Sequence, residues 1–288
     1  MTVIELINDS AARLEQAGVA YGHGTANAFD EAAWLVLWKL GHPLDQIDEH
    51  ADKAVTAQQQ AAVEALVAQR ITTRKPAAYL TQEAWLQGVP FYIDERAIVP
   101  RSFIAEIIAN GDIDYWLGDH TRAVLDLCTG NGSLAVLAAL CWPDVSVAAA
   151  DISPKALEVA RINIDRHALA ARISLIHSDG LKGVLGSFDL ILCNPPYVNT
   201  RSMGELPAEY LAEPALALAG GVDGMDFIRR LLAEAPVHMS EHAVLVLEIG
   251  NERAGFEAAF PRLPAVWLET SAGDDQVLLL TREALLFN

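Results

Sequence analysis

The sequence predicts an α/β protein, in which helices cover a parallel β-sheet and a small helical domain precedes the sheet. From about residue 122 onward, short apolar strands alternate with amphipathic helices, which is the order that builds a parallel sheet. Before residue 76, apolar residues instead recur at helical spacing. A chain of 288 residues is long enough for one large domain and one small domain.

The first 82 residues are predicted to form the helical domain. Residues 3–18 and 26–41 place apolar side chains at i, i+3, i+4 and i+7, and each segment ends at a glycine. Residues 56–75 have the same spacing. We expect this third helix to end before Pro76, because a residue that precedes a proline disfavours the α conformation.

Residues 83–120 are predicted to link the two domains. Apolar positions alternate around Gly88 and Pro90, which indicates a β-hairpin. A further helix is expected from about Arg101 to Gly118, where apolar residues return to helical spacing.

Residues 121–288 are predicted to form the sheet and its covering helices. A strand over 123–127 leads through a glycine loop into a helix over 133–141. Ser153 is placed to cap the next helix, with Pro154 at its first position. The remaining predicted elements are strands at 145–151, 172–179, 188–193 and 243–250, a helix at 224–239, and a closing hairpin at 265–282 around a Gly-Asp turn.

The charge of the chain favours a basic partner over nucleic acid. The formal net charge is −18, and it divides evenly, with −9 before residue 121 and −9 after it. Nucleic-acid binding needs a patch of Lys and Arg to displace the counterions on phosphates. The nearest candidate is the short cluster Arg70, Arg74 and Lys75, for which we favour a solvated helix end. An acidic protein is better suited to a basic protein partner.

Several features predict a cytoplasmic protein. No apolar stretch approaches the roughly 20 residues that span a bilayer, and the acidic, helical start is unlike a signal peptide. Cys128, Cys141 and Cys193 are odd in number and lie in apolar surroundings, which is typical of reduced core cysteines. No histidine or cysteine spacing indicates a metal site.

A glycine loop follows the first strand of the predicted sheet. The sequence DLCTGNGSLA, from Asp126 to Ala135, places Gly130 and Gly132 at a helix N-terminus, where backbone can approach a ligand closely. The third glycine of the dinucleotide fingerprint is missing, because Ala135 stands in its place. The loop therefore favours a nucleoside without phosphates, with glycines that serve packing alone as the alternative.

Two acidic residues follow the next two strands. Asp151 ends the second strand and can accept hydrogen bonds from both hydroxyls of a ribose, or it can cap the following helix. Asp179 can accept from an adenine amino group, or form a turn with Gly180. Together with the glycine loop, Asp151 favours the ribose role.

The tetrapeptide Asn194-Pro195-Pro196-Tyr197 follows the fourth strand, at the edge where ligands bind in open α/β sheets. The Asn194 amide supplies an acceptor oxygen. The prolines lack N–H donors and leave carbonyl acceptors on rigid backbone, and Tyr197 offers a flat aromatic face. These groups suit a planar –NH₂ substrate, so the sequence predicts a site that alkylates nitrogen. A rigid turn at the strand end is the alternative.

The order of these motifs resembles that of S-adenosylmethionine-dependent methyltransferases that modify planar nitrogen. It is most similar to the HemK/PrmB family of protein-glutamine methyltransferases, over nearly the full chain. The resemblance implies a seven-stranded, Rossmann-like class I methyltransferase sheet with a terminal antiparallel hairpin. It also implies a helical substrate-recognition domain at 1–82, a hairpin and helix linker at 83–120 and a methyltransferase domain at 121–288.

The resemblance implies a role for each motif. The Asn194 side-chain oxygen and the Pro195 carbonyl would accept the two hydrogens of a glutamine amide, and Tyr197 would wall the glutamine side chain. Arg101 and Glu106 are candidates for substrate contact or domain docking, and Arg101 could equally pair with an acid. The implied substrate-binding residues are Asn194, Pro195, Pro196, Tyr197 and Arg101. The implied residues for S-adenosylmethionine are Asp126, Cys128, Thr129, Gly130, Asn131, Gly132, Asp151, Ile152, Asp179, Gly180 and Asn194.

The sequence of the linker indicates which branch of the family this chain resembles. Residues 98–108 have the sequence IVPRSFIAEII, where release-factor methyltransferases usually carry IPRPDTE. This stretch and residues 206–225 resemble the branch that acts on the third large-subunit ribosomal protein. Phe103 and the pair Leu211-Ala212 depart from that branch, which commonly has a proline and often a basic pair at these places.

We therefore predict methyl transfer to the side-chain amide nitrogen of a glutamine in this basic ribosomal protein, either free or in an assembly intermediate. A release factor is the alternative substrate, and an adenine amino group of nucleic acid is a more remote one. A scaffold that only binds ribosome precursors would have no need for the tetrapeptide.

Overall fold

A computed structural model describes residues 1–287, in which five helices precede any long strand. They are α1 (Val3–Gln16), α2 (Ala28–Leu40), α3 (Ile47–His50), α4 (Ala57–Thr73) and α5 (Ala77–Thr81). Helices α1 and α4 begin with capping boxes, in which Thr2 and Thr56 accept from the backbone N–H three residues on. Gly41 ends α2 in the left-handed conformation at φ +71°, which confirms the predicted glycine stop.

The linker is a short hairpin followed by one helix. Strands β1 (Ala84–Leu86) and β2 (Val89–Phe91) pair antiparallel, as predicted. Helix α6 spans only Ile104–Asn110, so the predicted helix to Gly118 was wrong in length. It ends early because Gly111 turns left-handed and returns its N–H to the carbonyls of Ile107 and Ile108.

Seven further strands form one sheet, which confirms the predicted fold class. They are β3 (Ala123–Leu127), β4 (Ser146–Asp151), β5 (Ile173–His177), β6 (Phe188–Cys193), β7 (Met239–Glu248), β8 (Val266–Thr270) and β9 (Gly273–Thr281). The spatial order is β5-β4-β3-β6-β7-β9-β8, and β9 alone runs antiparallel to both of its neighbours. Gly273 and Asp274 already belong to β9, so the predicted Gly-Asp turn lies two residues too late.

Helices cover both faces of this sheet. They are α7 (Ser133–Cys141), α8 (Pro154–Arg166), α9 (Thr200–Met203), α10 (Ala208–Leu211), α11 (Asp226–Glu234), α12 (Arg253–Ala259) and α13 (Arg282–Leu286), with 3₁₀ turns at Ala215–Ala217 and Ala235–His238. Along β6, Leu190 and Leu192 join the core on one face, while Ile191 and Cys193 join the core on the other. This burial on both sides explains the nearly continuous apolar sequence of the central strands.

The helical domain and the linker pack against α8. Ala156 and Val159 of α8 belong to the same apolar core as the N-terminal helices. The Asn163 amide accepts from the Tyr92 N–H at 2.7 Å and donates to the carbonyls of Tyr92 and Asn131 at 3.0 and 2.8 Å. One buried side chain therefore joins the linker to the glycine loop.

Two features used to predict the cellular location can be compared with the structure. All three cysteines are free thiols, but Cys141 is exposed and Cys128 is half-buried, so the expected core position was wrong for these two. Within residues 1–287, none of the helices combines the length and apolar character that crossing a membrane requires.

Candidate active site

A cavity of about 430 Å³ opens at the carboxyl edge of the parallel strands. Its inner wall comes from the loops after β3, β4, β5 and β6, where ligands bind in open α/β sheets. Its outer wall comes from the linker, between Arg96 and Ser102, and from residues 214–221. The sheet therefore supplies only the inner wall, and the linker and residues 214–221 complete the cavity.

Most of the predicted cofactor-binding residues line this cavity. They are Cys128, Thr129, Gly130, Asn131, Asp151, Ile152, Asp179, Gly180 and Asn194. Asp126 and Gly132 lie behind the wall, and Gly132 is packed so closely that an added Cβ would come within 3.1 Å of the Ala160 Cβ. In the described part of the chain, no three His, Cys, Asp or Glu side chains are grouped to hold a metal ion.

Asp126 holds the glycine loop from beneath. One of its carboxylate oxygens accepts from the Thr129 hydroxyl at 2.5 Å and from the Ala135 N–H at 2.9 Å. Complete burial raises the pKa of Asp126 to about 7, against the effect of these two hydrogen bonds. Cys128 takes φ +63°, a left-handed conformation that glycine adopts more easily, and thereby starts the turn.

Asp151 presents a carboxylate to the same loop. It accepts from the Gly130 N–H at 2.9 Å and from the Ser153 N–H at 2.8 Å, one bond on each oxygen. Burial raises the pKa of Asp151. Ser153, rather than Asp151, caps α8 by accepting from the Ala156 N–H. Each Asp151 oxygen retains acceptor capacity for a ligand hydroxyl.

Asn131 supplies a direct test of whether the cavity suits a polar ligand. Its side-chain oxygen accepts from the Ser133 N–H at 3.2 Å. Its side-chain nitrogen is buried and finds no hydrogen-bond partner among residues 1–287. A buried donor without a partner is costly, so a ligand acceptor in this cavity would satisfy it.

The far end of the cavity carries charges and an aromatic ring. Asp179 is bound by Lys182 at 2.6 Å and by Arg230 at 3.1 Å, and both lower its pKa. The Arg230 guanidinium lies 5.5 Å from the centre of the Phe227 ring, which also lines the cavity. The sequence prediction missed Phe227 and Arg230, because they lie on a helix whose only signal was amphipathic spacing.

Two residues of the tetrapeptide line the cavity, and the other two do not. Asn194 and Pro196 line the cavity, and the Asn194 side chain makes no hydrogen bond within residues 1–287. Pro195 is buried. The Tyr197 ring packs beside Gly250, where an added Cβ would come within 2.6 Å of it. The contact of Tyr197 with a glutamine stays a prediction.

Glu248, at the end of β7, joins the linker to the tetrapeptide. It accepts from the Ser102 hydroxyl at 2.5 Å and from the Phe103 N–H at 2.9 Å, and the Tyr197 hydroxyl lies 3.4 Å from its other oxygen. Burial raises the pKa of Glu248. Burial, followed by the nearby Glu248 charge, also raises the pKa of Tyr197. Nothing in the local sequence marked Glu248 as part of this site.

Arg101 and Glu106, the two linker candidates, both meet partners within the chain. Arg101 donates to both oxygens of Glu213 at 2.7 Å, so of its two alternatives, pairing with an acid is observed. Glu106 accepts from the N–H and hydroxyl of Ser271 at 2.9 and 2.6 Å, which docks α6 on the β8–β9 turn. Their contact with substrate stays a prediction.

The basic cluster at the end of α4 is used inside the molecule. Arg70 is wholly buried and donates to Glu31 at 2.8 Å and to Glu209 at 3.1 Å. Arg74 also reaches Glu209, at 3.3 Å, and Lys75 pairs with Glu95. The predicted solvated helix end was therefore wrong for Arg70, and the cluster offers little free positive surface.

Comparison with known proteins identifies the family. Residues 114–221 match the family model described as "Methyltransferase small domain". A ribosomal protein uL3 glutamine methyltransferase of Bordetella pertussis is 51% identical over 99% of this chain and 96% of its own length. This chain belongs to the uL3 glutamine methyltransferase family. A member of that family from Neisseria gonorrhoeae is 46% identical over 99% of this chain and 96% of its own length.

Solved structures support the same fold at low identity. A methyltransferase from Pyrococcus furiosus covers 79% of this chain and 99% of its own, with 17% identity and a TM-score of 0.50. The hMettl16 catalytic domain, solved with an RNA hairpin, covers 78% of this chain and 81% of its own, with 12% identity and a TM-score of 0.52. These likenesses concern the fold alone. Family membership, with the matching family model, makes this chain a methyltransferase.

Proposed function

We propose that this chain transfers a methyl group from S-adenosylmethionine to the side-chain amide nitrogen of a glutamine in ribosomal protein uL3. The unpaired Asn194 amide carries this proposal, because it lies on rigid backbone beside a cavity lined by the glycine loop and Asp151. Curated relatives at 45–51% identity are named for the same reaction on uL3. They favour uL3 over a release factor as substrate.

The residues of the inner wall fit S-adenosylmethionine. Asp151 would accept from the ribose hydroxyls, and Asp179 with Gly180 and Ile152 would border the adenine. Thr129, Gly130 and the unpartnered donor of Asn131 would face the methionine end, while Asp126 fixes the loop from behind. When bound, S-adenosylmethionine supplies an electrophilic methyl group on a sulfonium.

The tetrapeptide would orient the acceptor nitrogen. A primary amide nitrogen is a weak nucleophile, because its lone pair is delocalised into the carbonyl group. Position and electrostatics must therefore drive the reaction. The Asn194 side-chain oxygen and the Pro195 carbonyl would accept the two amide hydrogens of glutamine. The N–C bond forms as the S–C bond of the sulfonium breaks, and positive charge develops on the nitrogen. The two hydrogen bonds strengthen with this charge, and one amide hydrogen then leaves as a proton to solvent water, so no dedicated base is needed.

The charge of the chain fits the proposed partner. A net charge of −18 attracts a basic ribosomal protein and speeds encounter. Because the proposed substrate is a ribosomal protein, we place the reaction in the cytoplasm.

A competition assay tests this proposal. Unmodified uL3 and unmodified release factor, at equal concentrations, are incubated with the purified chain and methyl-labelled S-adenosylmethionine, and each protein is then examined by mass spectrometry. The proposal expects a methylated glutamine on uL3. Label that accumulates on the release factor instead would contradict the assigned substrate but not the chemistry.

A further inference from the structure

Residues 206–222, which follow the tetrapeptide, have an inverted distribution of polarity. Their two charged residues, Glu209 and Glu213, are both buried, at 2% and 5% exposure. Their exposed residues are all apolar, and we call this set the apolar rim: Pro207, Ala208, Leu211, Ala215, Leu216, Ala219 and Val222. Soluble proteins ordinarily expose carboxylates and bury leucines.

The buried carboxylates fix the orientation of this segment. Glu209 accepts from Arg70 and Arg74 of the helical domain, and Glu213 accepts from Arg101 and from the Val99 N–H of the linker. Burying a carboxylate is unfavourable unless it is paired in this way. These ion pairs therefore orient the segment so that the apolar rim faces solvent. The exposure of the rim is thus not the result of loose packing.

The apolar rim begins at the mouth of the cavity. Leu216 and Ala219 line the cavity and are also exposed. Leu211 and Val222, which do not line it, are 64% and 84% exposed. An apolar patch held outward beside a binding cavity marks an interaction surface. Asn194 lines the same cavity, so a protein segment that inserts a side chain toward Asn194 past Leu216 and Ala219 would contact the rim.

We propose that the apolar rim docks apolar side chains that neighbour the target glutamine in the substrate protein. This inference rests on the proposed function, since it assigns the rim to the same substrate. The occupant follows from the continuity of the rim with the cavity and from the net charge of −18. A loop of a basic protein would be attracted by the charge and held by the leucines.

The test uses the full chain with the double substitution Leu211→Ser/Val222→Ser. Both side chains are exposed and lie outside the cavity lining, so folding and S-adenosylmethionine affinity should be retained. The matched control is Leu185→Ser/Val237→Ser, which removes two side chains that are 87% and 78% exposed near the opposite, amino-terminal edge of the sheet. KM, kcat and the binding constant are measured with unmodified uL3.

The rim variant should raise KM and Kd for uL3 by about tenfold or more, since the loss of even small apolar contacts costs this much. The effect should fall on KM rather than kcat, and the control should match the unmodified chain. Equal values in all three proteins would overturn the inference, as would a dimer in sedimentation that only the rim variant dissociates. If the unmodified chain binds uL3 through the rim but transfers no methyl, the proposed function fails while the docking surface stands.

Discussion

Arg101 donates a hydrogen bond of 2.7 Å to each oxygen of the buried Glu213 carboxylate. Arg101 belongs to the linker, whereas Glu213 directly precedes Pro214 in the outer wall of the cavity. His23 of the helical domain lies 3.4 Å from the same carboxylate. The outer wall is therefore positioned by contacts that a methyltransferase sheet alone does not supply.

This ion pair predicts a stability difference that depends on pH. Burial opposes ionisation of Glu213, but His23 and Arg101 lower its pKa from the ordinary 4.5 to about 2. A lowered pKa stabilises the fold above the unfolded-state pKa and loses that effect as pH falls through the folded-state pKa. Glu213→Gln should thus be less stable than the unmodified chain at pH 6, by roughly 3 kcal/mol.

Denaturant unfolding at several pH values checks this prediction. The difference between the two proteins should shrink steadily from pH 4.5 toward pH 2. Glu205→Gln is the control, because its side chain is 67% exposed in an i,i+4 pair with Arg201 and should contribute little. A difference that does not change with pH would argue against the ion pair as its cause.

For Asp126 we predict the opposite dependence, a loss of stability as the pH rises toward neutrality and above. Its pKa is raised to about 7, because burial penalises the ionised form more than its hydrogen bonds favour it. The fold therefore bears a cost that is largest above pH 7, shrinks as the pH falls, and disappears only below the ordinary pKa of 3.8. Asp126→Asn removes the charge and keeps an acceptor for Thr129 and Ala135. It should exceed the unmodified chain in stability at pH 8 by about 4 kcal/mol.

The same unfolding measurement at pH 8 and pH 4 tests this second prediction. The two proteins should approach one another in stability at pH 4, close to the ordinary pKa of 3.8. A stability difference that stays the same at both pH values would contradict the raised pKa as its cause.

Asp151 predicts a change in cofactor affinity. Asp151→Ala should weaken S-adenosylmethionine binding by about 10- to 100-fold, because hydrogen bonds to a charged group contribute roughly 1.5–3 kcal/mol. Calorimetry on the full chain measures this affinity. Asp144→Ala, at an exposed position outside the cavity lining, should bind like the unmodified chain. Unchanged affinity in the Asp151 variant would remove the ribose assignment.

The inner wall was predictable from the sequence because strand ends are local signals. Asp151 and Asn194 each end or follow an apolar strand, and parallel strands bring their carboxyl ends to one edge. The outer wall was not predictable in this way. Glu213 lies 112 residues from Arg101, and Glu248 lies 146 residues from Ser102, so no spacing connects the partners.

Besides the long sequence separation of these partners, there is a second reason why the apolar rim was not predicted from the sequence. Residues 206–222 combine leucines with two glutamates, a pattern that ordinarily puts leucines inside and carboxylates outside. Here the arginines of the helical domain and the linker reverse that order. Burial of this segment depends on partners from elsewhere in the chain, which local periodicity does not reveal.

Asn194→Ala should lose most methyl transfer while keeping the fold. By analogy with the loss of one oxyanion-hole donor, transition-state stabilisation should fall by about 2–4 kcal/mol, or roughly 30- to 1000-fold in rate. Asn110→Ala, at an exposed helix end, is the matched control and should react like the unmodified chain.

The proposed glutamine methylation is tested most directly by fragment mass spectrometry of uL3 after reaction with the unmodified chain and with Asn194→Ala. We expect one methyl group on the side-chain amide of a single glutamine with the unmodified chain, and at most a few per cent of that product from the variant in the same time. A methyl group on any other atom, or an Asn194→Ala variant that reacts at the full rate, would contradict the central claim.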